Sequence, residues 1–331
     1  MSNPAPNPTL DSELRPESLD TIVGQESIKD TLRVFIESAK LRNRTLDHVF
    51  LAGPPGLGKT TIASTIAHEM SHDMILLHGP NVSPTVLWQL CEDGGTIRES
   101  PIPVILFIDE IQGVEKATFT ALLPLMERFI YLNQQVPPFT VVGATTDPAK
   151  VPNALRDRFG IQYTLDYYPT EQIEEILKRN FPKMHPGGSY APDAIEAVAL
   201  RSRGTPRIAN RLMRRALDYH WVDERRTGSG ARPFSKASVT RAMTGMGIDK
   251  DGLDDLDRRI LVAMWDRWHG KPTGIAAIAS AVGEDQKTLE LVKEPWLVRA
   301  GFINREKRGR SLTAQGITKA SLTMAEKVEF E

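Results

Sequence analysis

The segment Gly53-Pro-Pro-Gly-Leu-Gly58-Lys59-Thr60 is the feature that most constrains what this chain can fold into. It has the pattern G-x-x-x-x-G-K-[ST] and lies between a strand-like run, HVFLAG, and a segment of helical pattern, TIASTIAHEM. Glycines let a backbone wrap an anion and point several N–H groups at phosphate oxygens, at a helix start whose dipole favours negative charge. The alternative is a glycine-rich turn with a surface lysine, and the flanking strand and helix patterns make that coincidence rare. The pattern predicts a phosphate-binding loop.

The residue types of the loop predict how a nucleotide is bound. Lys59 would supply a point charge to the β- and γ-phosphates, and the Thr60 hydroxyl is a hard oxygen ligand for Mg²⁺. We expect Gly56, Gly58 and Thr61 to contact the nucleotide as well. ATP and Mg²⁺ are therefore the predicted cofactors.

The first half of the chain has the pattern of an α/β fold with a parallel sheet. From about Leu14 to Tyr168, short apolar runs alternate with amphipathic segments. Runs that are apolar throughout are typical of strands covered on both faces. Four such runs are HVFLAG (48–53), MILLHG (74–79), VILFID (104–109) and FTVVGAT (139–145).

The third apolar run ends in two carboxylates, Asp109 and Glu110. Carboxylates at the end of a buried strand are costly unless they meet cations or polarise water. We expect Asp109 to orient the Mg²⁺ shell and Glu110 to act as general base toward the attacking water. On its own the pair fits a helix cap equally well, but a phosphate loop about 50 residues earlier favours the catalytic interpretation.

The length of 331 residues predicts two or three domains. We expect a disordered lead-in over 1–13, a nucleotide-binding domain over 14–168, a small helical domain over 169–248 and a DNA-binding domain over 249–331. The single Cys91 excludes an internal disulfide or a cysteine-based zinc site and favours a reducing, cytoplasmic compartment. No run reaches the roughly 18 apolar residues of a membrane span.

The C-terminal region has the pattern of a winged helix. The clearest loop of the chain, 225–234, precedes it, and LDDLDRRILVAMWDRW begins it at Leu253. GIAAIASAVGED (274–285) predicts a short helix, and DQKTLELVKEPWLVRAG (285–301) predicts a second one with Asp285 as N-cap. FINR and SLT then predict two short strands joined by EKRGR.

The turn between these two strands is basic. Its cations lie around Gly309 and could neutralise phosphates without reading bases. A solvated basic hairpin is the alternative. The cations are Arg305, Lys307, Arg308 and Arg310. We expect Arg305, Arg308 and Arg310 to bind DNA.

These segments together resemble the RuvB family, the AAA+ motors of bacterial Holliday-junction branch migration. The likeness extends over nearly the whole chain, and SRGTPRIANR with ALRDRFG is the specific part of it. The matching segments are LRPESLDTIVGQ (14–25), LDHVFLAGPPGLGKTT (46–61), LFIDEI (106–111), PPFTVVGATT (137–146), ALRDRFG (154–160), SRGTPRIANRLMRR (202–215), LDDLDRRIL (253–261) and GFINREKRGR (301–310). The resemblance implies an AAA+ ATPase domain with a parallel sheet, a small helical lid and a C-terminal winged helix.

The resemblance also implies roles around the nucleotide. Leu14, Arg15 and Tyr168 would lie beside the adenine. Thr146 matches sensor 1, which feels the γ-phosphate and the water. Arg207, in Gly-Thr-Pro-Arg, matches sensor 2; a solvated helix-end cation is the alternative for it.

Arg158, in Leu-Arg-Asp-Arg-Phe, matches the arginine finger, which acts on the ATP of the neighbouring subunit. An added arginine can be worth about 10³–10⁵ in phosphoryl-transfer rate. A ring, expected to be a homo-hexamer, would then be the catalytic unit. A surface ion pair of Arg158 with Asp157 or Asp147 is the alternative.

The chain departs from the family between Met126 and Pro137. RuvB proteins carry a longer β-hairpin there, which docks on the junction-binding partner RuvA, and here only Glu127 to Val136 remains. Docking of a usual RuvA is therefore doubtful. The family's DEIH also reads DEIQ, with Gln112, and Asp147 follows GATT in place of an arginine.

Double-stranded DNA and four-way junctions are the expected partners, and ATP-driven branch migration in recombination and repair is the expected function. Two other functions stay open at this point. One is a clamp-loader- or helicase-loader-like ATPase that remodels a protein on DNA. The other is a winged-helix regulator that only senses ATP, against which intact Lys59, Glu110 and Arg158 argue.

Overall fold

The computed structural model describes residues 13–227 and 232–328. The predicted lead-in, except residue 13, and the centre of the predicted loop at 225–234 lie outside the described residues. Within the described ranges, no helix is long and apolar enough to cross a lipid bilayer.

The chain forms two compact units. The first extends to Pro186 and includes Gly204–Asn210; the second comprises Gly187–Arg203 and continues from Arg211. Residues 169–186 and 204–210 of the expected lid are thus grouped with the first unit. The predicted α/β class is confirmed in that unit.

A five-stranded parallel sheet is the centre of the first unit, with the strand order β2-β3-β6-β1-β7. The three inner strands are buried along almost their whole length, which explains why their sequences are apolar throughout. The strands are β1 (Val49–Ala52), β2 (Asp73–His78), β3 (Val104–Asp109), β6 (Thr140–Thr145) and β7 (Ile161–Thr164).

Helices connect these strands, as parallel pairing requires. The connecting helices are α2 (Lys59–Met70), α3 (Pro84–Cys91), α4 (Thr96–Glu99), α5 (Lys116–Arg128) and α6 (Asn153–Arg156), while α1 (Glu26–Leu41) precedes β1 and α7 (Thr170–Met184) follows β7. Helix α2 begins directly after Gly58, whose φ of 104° lies in the left-handed region that favours glycine. The loop between β1 and α2 can therefore turn tightly enough to surround an anion.

The hairpin that follows α5 is very short. Strands β4 (Ile130–Tyr131) and β5 (Gln134–Gln135) pair antiparallel around Leu132 and Asn133. Both turn residues have positive φ, 47° and 63°, as in a two-residue hairpin turn. Tyr131 is buried and its hydroxyl donates to the Pro84 carbonyl, so only the tip with Leu132 projects.

In the part of the second unit that the structure describes, the elements are helices and one two-stranded ribbon. Helix α9 starts in the first unit and continues in the second. The elements are α8 (Pro192–Arg201), α9 (Pro206–Thr227), α10 (Lys236–Gly245), α11 (Asp255–Trp268), α12 (Ile275–Val282), α13 (Gln286–Thr288), α14 (Glu294–Arg299), β8 (Ile303–Glu306), β9 (Gly309–Leu312) and α15 (Ala314–Val328). The sequence pattern does not predict α15.

The winged-helix prediction is confirmed, with one difference. Helices α11, α12 and α14 and the ribbon enclose a common core that includes Leu261, Ile278 and Leu297. The predicted second helix starts at its predicted cap, since Asp285 accepts the Thr288 N–H at 3.1 Å. A π-helical turn over Leu289–Lys293 interrupts it before α14. It lies just before Pro295, which has no N–H to give to a regular α-helix.

Candidate nucleotide site and nucleic-acid surface

Three adjacent strands end at the phosphate loop. The loop follows β1, Glu110 follows β3 and Thr146 follows β6. Because β1 and β3 both pair in parallel with β6, their carboxyl ends lie at one edge of the sheet. The sheet topology thus brings together the side chains of Lys59 and Thr146, which are 87 residues apart in the sequence.

Lys59 is buried inside the phosphate loop, where 7% of the residue is exposed. Its ammonium donates to the carbonyls of Gly53, at 2.7 Å, and Pro54, at 3.0 Å. Burial lowers the pKa of Lys59 by more than the charges of Glu110 and Asp109 raise it, so the pKa lies below its usual value. The ammonium group is therefore held against the phosphate loop that precedes α2.

Glu110 is fixed by two side chains at the sheet edge. Its Oε2 accepts from the Thr146 hydroxyl at 2.8 Å and from the Gln112 amide. Burial raises the pKa of Glu110, but these hydrogen bonds and the charge of Lys59 outweigh burial and hold the pKa below its usual value. Glu110 is therefore an anion at neutral pH, as a general base must be.

Thr60 and Asp109 are both half-buried and offer oxygen atoms at this edge. The described residues include no group of three or more His, Cys, Asp or Glu side chains that could hold a metal ion. Mg²⁺ at a phosphate site does not need such a group, since phosphates and waters complete its shell around one or two protein oxygens. The oxygen donors Thr60 and Asp109 therefore fit the ion.

The segment that carries Arg207 packs directly on the phosphate loop. A Cβ atom built on Gly56 would lie 2.8 Å from Thr205 Cγ2 and 3.0 Å from Arg207 Cβ. Arg207 also donates its backbone N–H to the Gly56 carbonyl at 3.4 Å. Tyr168 is buried, and its hydroxyl donates to the Leu57 carbonyl at 3.3 Å. Arg207 and Tyr168, which the resemblance places near the nucleotide, thus both contact the phosphate loop.

The predicted contacts of the N-terminal segment are less direct. Leu14 is buried and Arg15 is exposed. The next residue, Pro16, accepts from the Thr65 hydroxyl of α2 at 3.4 Å, so the segment runs beside that helix. Thr61 is half-buried in the first turn of α2. The nucleotide contacts of Leu14, Arg15 and Thr61 stay predictions.

Arg158 lies at the opposite edge of the sheet from the phosphate loop. It comes three residues before Ile161, which pairs with Val49 at the start of β1, whereas the loop follows the end of β1. Four strand residues separate the two edges by roughly 13 Å. Arg158 lines an open groove of about 1170 Å³, together with residues that precede several strands. Its Nη2 lies 3.6 Å from Glu127 Oε2, so its ion-pair partner is neither Asp157 nor Asp147.

The wing arginines differ in their surroundings. The side chain of Arg305 is 64% exposed, and Arg308 is exposed. The side chain of Arg310 is only 11% exposed and forms an ion pair with Glu294 at 2.7 Å. Arg305 Nε lies 3.5 Å from the same carboxylate. Arg305 and Arg308 therefore present charge to solvent, while Arg310 faces inward.

Sequence reasoning missed the supporting polar groups. Gln112 contacts Glu110, Thr145 and Thr146, and Glu294 forms an ion pair with Arg310 of the wing. In the sequence, Gln112 stands out only as a departure from DEIH. A polar residue two positions after the carboxylate pair was the available signal, because a short turn can bring it back to Glu110.

Three family models match successive parts of the chain. The Holliday junction DNA helicase RuvB P-loop domain matches residues 14–165, the RuvB AAA lid domain matches 168–249, and the RuvB C-terminal winged helix domain matches 250–320.

Curated relatives and solved structures agree with these matches. The Holliday junction branch migration complex subunit RuvB of Salinibacter ruber is 41% identical over 309 residues, covering 90% of this chain and 86% of the relative. The protein of the same name from Chlorobium luteolum is 39% identical over 324 residues, covering 94% of this chain and 90% of that relative. The Thermotoga maritima RuvB Holliday junction branch migration motor superposes with a TM-score of 0.80 at 38% identity, covering 93% of this chain and 98% of that one.

Proposed function

The chain belongs to the RuvB family, and we propose that it is an ATP-driven motor on double-stranded DNA that promotes Holliday-junction branch migration in recombination and repair. The observation that carries the proposal is the meeting of Lys59, Glu110 and Thr146 at one edge of the sheet. A phosphate loop alone would serve many functions. An ionised carboxylate held beside it supports hydrolysis in addition to binding.

ATP is the proposed substrate. The loop N–H groups and Lys59 hold the β- and γ-phosphates, and Glu110 orients a water molecule in line with the γ-phosphorus. As the oxygen of that water bonds to phosphorus, its proton passes to Glu110, and the β–γ bridging oxygen leaves with ADP. Thr146 and Arg207 are proposed to contact the γ-phosphate. Leu14, Arg15 and Tyr168 are proposed to bound the base.

Mg²⁺ is the proposed cofactor, held by the Thr60 hydroxyl and by Asp109, directly or through water. When bound, the ion neutralises charge on the β- and γ-phosphates. Asp109 is oriented by the chain itself, because its Oδ1 accepts the backbone N–H of Glu110 at 3.1 Å.

Arg158 is proposed to act on the ATP of a neighbouring copy of this chain. Its position at the far edge of the sheet supports this, since it is remote from the loop of its own subunit. The proposed assembly is a homo-hexameric ring.

We further propose a division of labour along the chain. Residues 14–168 form the AAA+ ATPase domain, 169–248 the lid and 249–331 the winged-helix domain that binds duplex and four-way junction DNA. The single cysteine supports a cytoplasmic location.

A usual RuvA is proposed not to dock stably on this chain. The two-residue strands of the hairpin and its two-residue turn support this, because they leave little surface to project. Interfaces draw most of their energy from a few buried anchors, which a shortened hairpin cannot offer.

The decisive experiment measures ATP hydrolysis without DNA, with linear duplex and with a four-way junction of equal length, in the absence of any partner protein. We expect turnover that DNA stimulates, and conversion of the junction to duplex products. Glu110→Gln is the matched control, which should bind ATP, hydrolyse it at a small but measurable fraction of the unmodified rate and fail to move the junction. Turnover without any junction product would instead favour an ATPase that remodels a protein on DNA.

A further inference from the structure

Gln112 joins Glu110 and Thr146, the two groups proposed to act at the γ-phosphate. It lies half-buried in a 3₁₀ turn, Ile111–Gly113, directly after Glu110. Its Nε2 donates to Glu110 Oε2 and lies 3.4 Å from the Thr146 hydroxyl. The turn brings the side chain back over the carboxylate that precedes it.

The orientation of the Gln112 amide is determined by its neighbours. The ionised Glu110 carboxylate can only accept hydrogen bonds, so it requires the NH₂ end of the amide. At the other end, Thr145 donates its hydroxyl to Gln112 Oε1 at 2.5 Å. The Thr145 oxygen in turn accepts the backbone N–H of Asp147 at 3.0 Å, which leaves its own proton for Gln112. The chain of donors runs in one direction, from Asp147 through Thr145 and Gln112 to Glu110.

Both side-chain donors bond the same oxygen of Glu110. Gln112 and Thr146 hold Oε2, and no side-chain donor among the described residues bonds Oε1. A carboxylate on a flexible side chain would otherwise rotate and present either oxygen. Positioning of this kind matters because the base must lie within hydrogen-bond reach of the attacking water.

We propose that Gln112 is a positioning residue for ATP hydrolysis, which holds the Glu110 carboxylate with Oε1 toward the attacking water, and that Thr145 fixes the amide orientation this requires. The inference rests on the proposed hydrolysis of ATP. It also gives the loop after β6 a direct connection to the base, since Asp147 begins the segment that leads to Arg158.

The test replaces Gln112 by leucine, which fills similar space without a donor. We expect kcat to fall about 10-fold, as for the loss of one hydrogen bond to a charged group, with ATP affinity and melting temperature unchanged. Gln112→Glu puts a hydrogen-bond acceptor where the donor was, so its kcat should fall at least as far as that of Gln112→Leu. Gln112→His keeps an N–H donor and should recover part of the rate. Gln89→Leu, the same change on the exposed face of α3, is the control.

A double-mutant cycle separates positioning from a general structural role. If Gln112 acts through Glu110, Gln112→Leu should cause no further loss in a Glu110→Gln background. Equal losses in both backgrounds would overturn the proposal, and so would a kcat of Gln112→Leu within twofold of the unmodified protein or above it. Absence of turnover in the unmodified protein would count against the proposed function instead.

Discussion

Arg310 on the second wing strand donates from Nε and Nη2 to the same oxygen of Glu294, at 3.0 and 2.7 Å. The side chains are only 11% and 4% exposed, so each charge depends on the other for compensation. Glu294 lies at the start of α14, and Arg310 lies opposite Arg305 in the ribbon. The pair therefore fastens the wing to the helix that precedes it. The ion pair also engages Arg310, which the sequence analysis predicts to bind DNA.

Arg310→Ala should destabilise the winged-helix domain. Removing one partner of a buried ion pair typically costs about 3–5 kcal/mol, because the other charge is left buried. We expect a loss near the lower end, since Arg305 also lies 3.5 Å from Glu294. Urea unfolding followed by tryptophan fluorescence measures it. An unchanged midpoint would show that the pair contributes nothing to stability.

Arg308→Ala should weaken binding to duplex DNA without affecting stability. The side chain is exposed at the ribbon turn and can neutralise a phosphate. Removing one phosphate-neutralising cation should reduce the slope of log affinity against log salt by about 0.9, equally for all sequences. Arg42→Ala, which removes an exposed cation of the first unit, is the control. If Arg308→Ala leaves the slope unchanged, the turn of the wing is a solvated basic hairpin that does not contact phosphates.

Arg158→Ala and Lys59→Ala should each abolish ATP hydrolysis and partly restore it when the two proteins are mixed. In a mixed ring, some interfaces combine an intact Lys59 with an intact Arg158 from the next subunit. Steady-state turnover at varied mixing ratios measures the effect. Activity that never exceeds the sum of the separate proteins would mean that Arg158 acts within its own subunit or not at all.

Protonation of His48 should lower the free energy of unfolding of the first unit below about pH 6.5. The ring is buried, Val141 donates its backbone N–H to Nδ1, and Nε2 donates to the Met126 carbonyl. Burial lowers the pKa of His48, and protonation of Nδ1 would remove its hydrogen bond. The unfolded chain, with a pKa of about 6.5, then binds the proton first. Stability present above that pH is lost as the pH falls toward the folded pKa, by up to about 1.4 kcal/mol per pH unit.

The check compares the free energy of unfolding at pH 7.5 and 5.5 in the unmodified protein and in His48→Asn. Carboxylates contribute to both proteins and cancel in the difference. His68→Asn, the same change at an exposed histidine of α2, is the control. If the unmodified protein and His48→Asn lose equal stability, His48 does not cause the pH dependence.

Titration calorimetry against a usual RuvA should detect no stable complex. The short hairpin exposes Leu132 at its tip, 70% accessible, but buries Tyr131 against the first unit. One exposed leucine is too small an anchor for a lasting interface. Affinity at the micromolar level or tighter would show that another surface of the chain binds RuvA, and Leu132→Ser would test whether the tip contributes.

The sequence predicted elements well where a local pattern repeats. Three of the four continuous apolar runs became buried strands, and the phosphate loop lies between β1 and α2 as expected. The expectation of cover on both faces was wrong for MILLHG, which forms the edge strand β2 and leaves Leu76 56% exposed. The cap at Asp285 was predicted because an N-cap is a local interaction. The π-helical turn over Leu289–Lys293 was not predicted, since its cause involves neighbours outside the periodic pattern. The DNA contact of Arg310 stays a prediction, but its ion pair with Glu294 was not predicted, because Glu294 is 16 residues earlier in the sequence and adjacent in the fold.

What the sequence by itself determined is the chemistry available to this protein: a loop for phosphates, a carboxylate after an apolar strand, and cations at a turn. Residue type and local spacing suffice for these, because backbone geometry and strand burial act over a few residues. What only the tertiary structure decided is which groups meet. Parallel pairing of β3 with β6 brings Thr145 and Thr146 to Gln112 and Glu110, and parallel pairing of β7 with β1 places Arg158 at the far edge. Such contacts depend on strand order. Packing of the whole unit sets that order, so no single segment of the sequence predicts it.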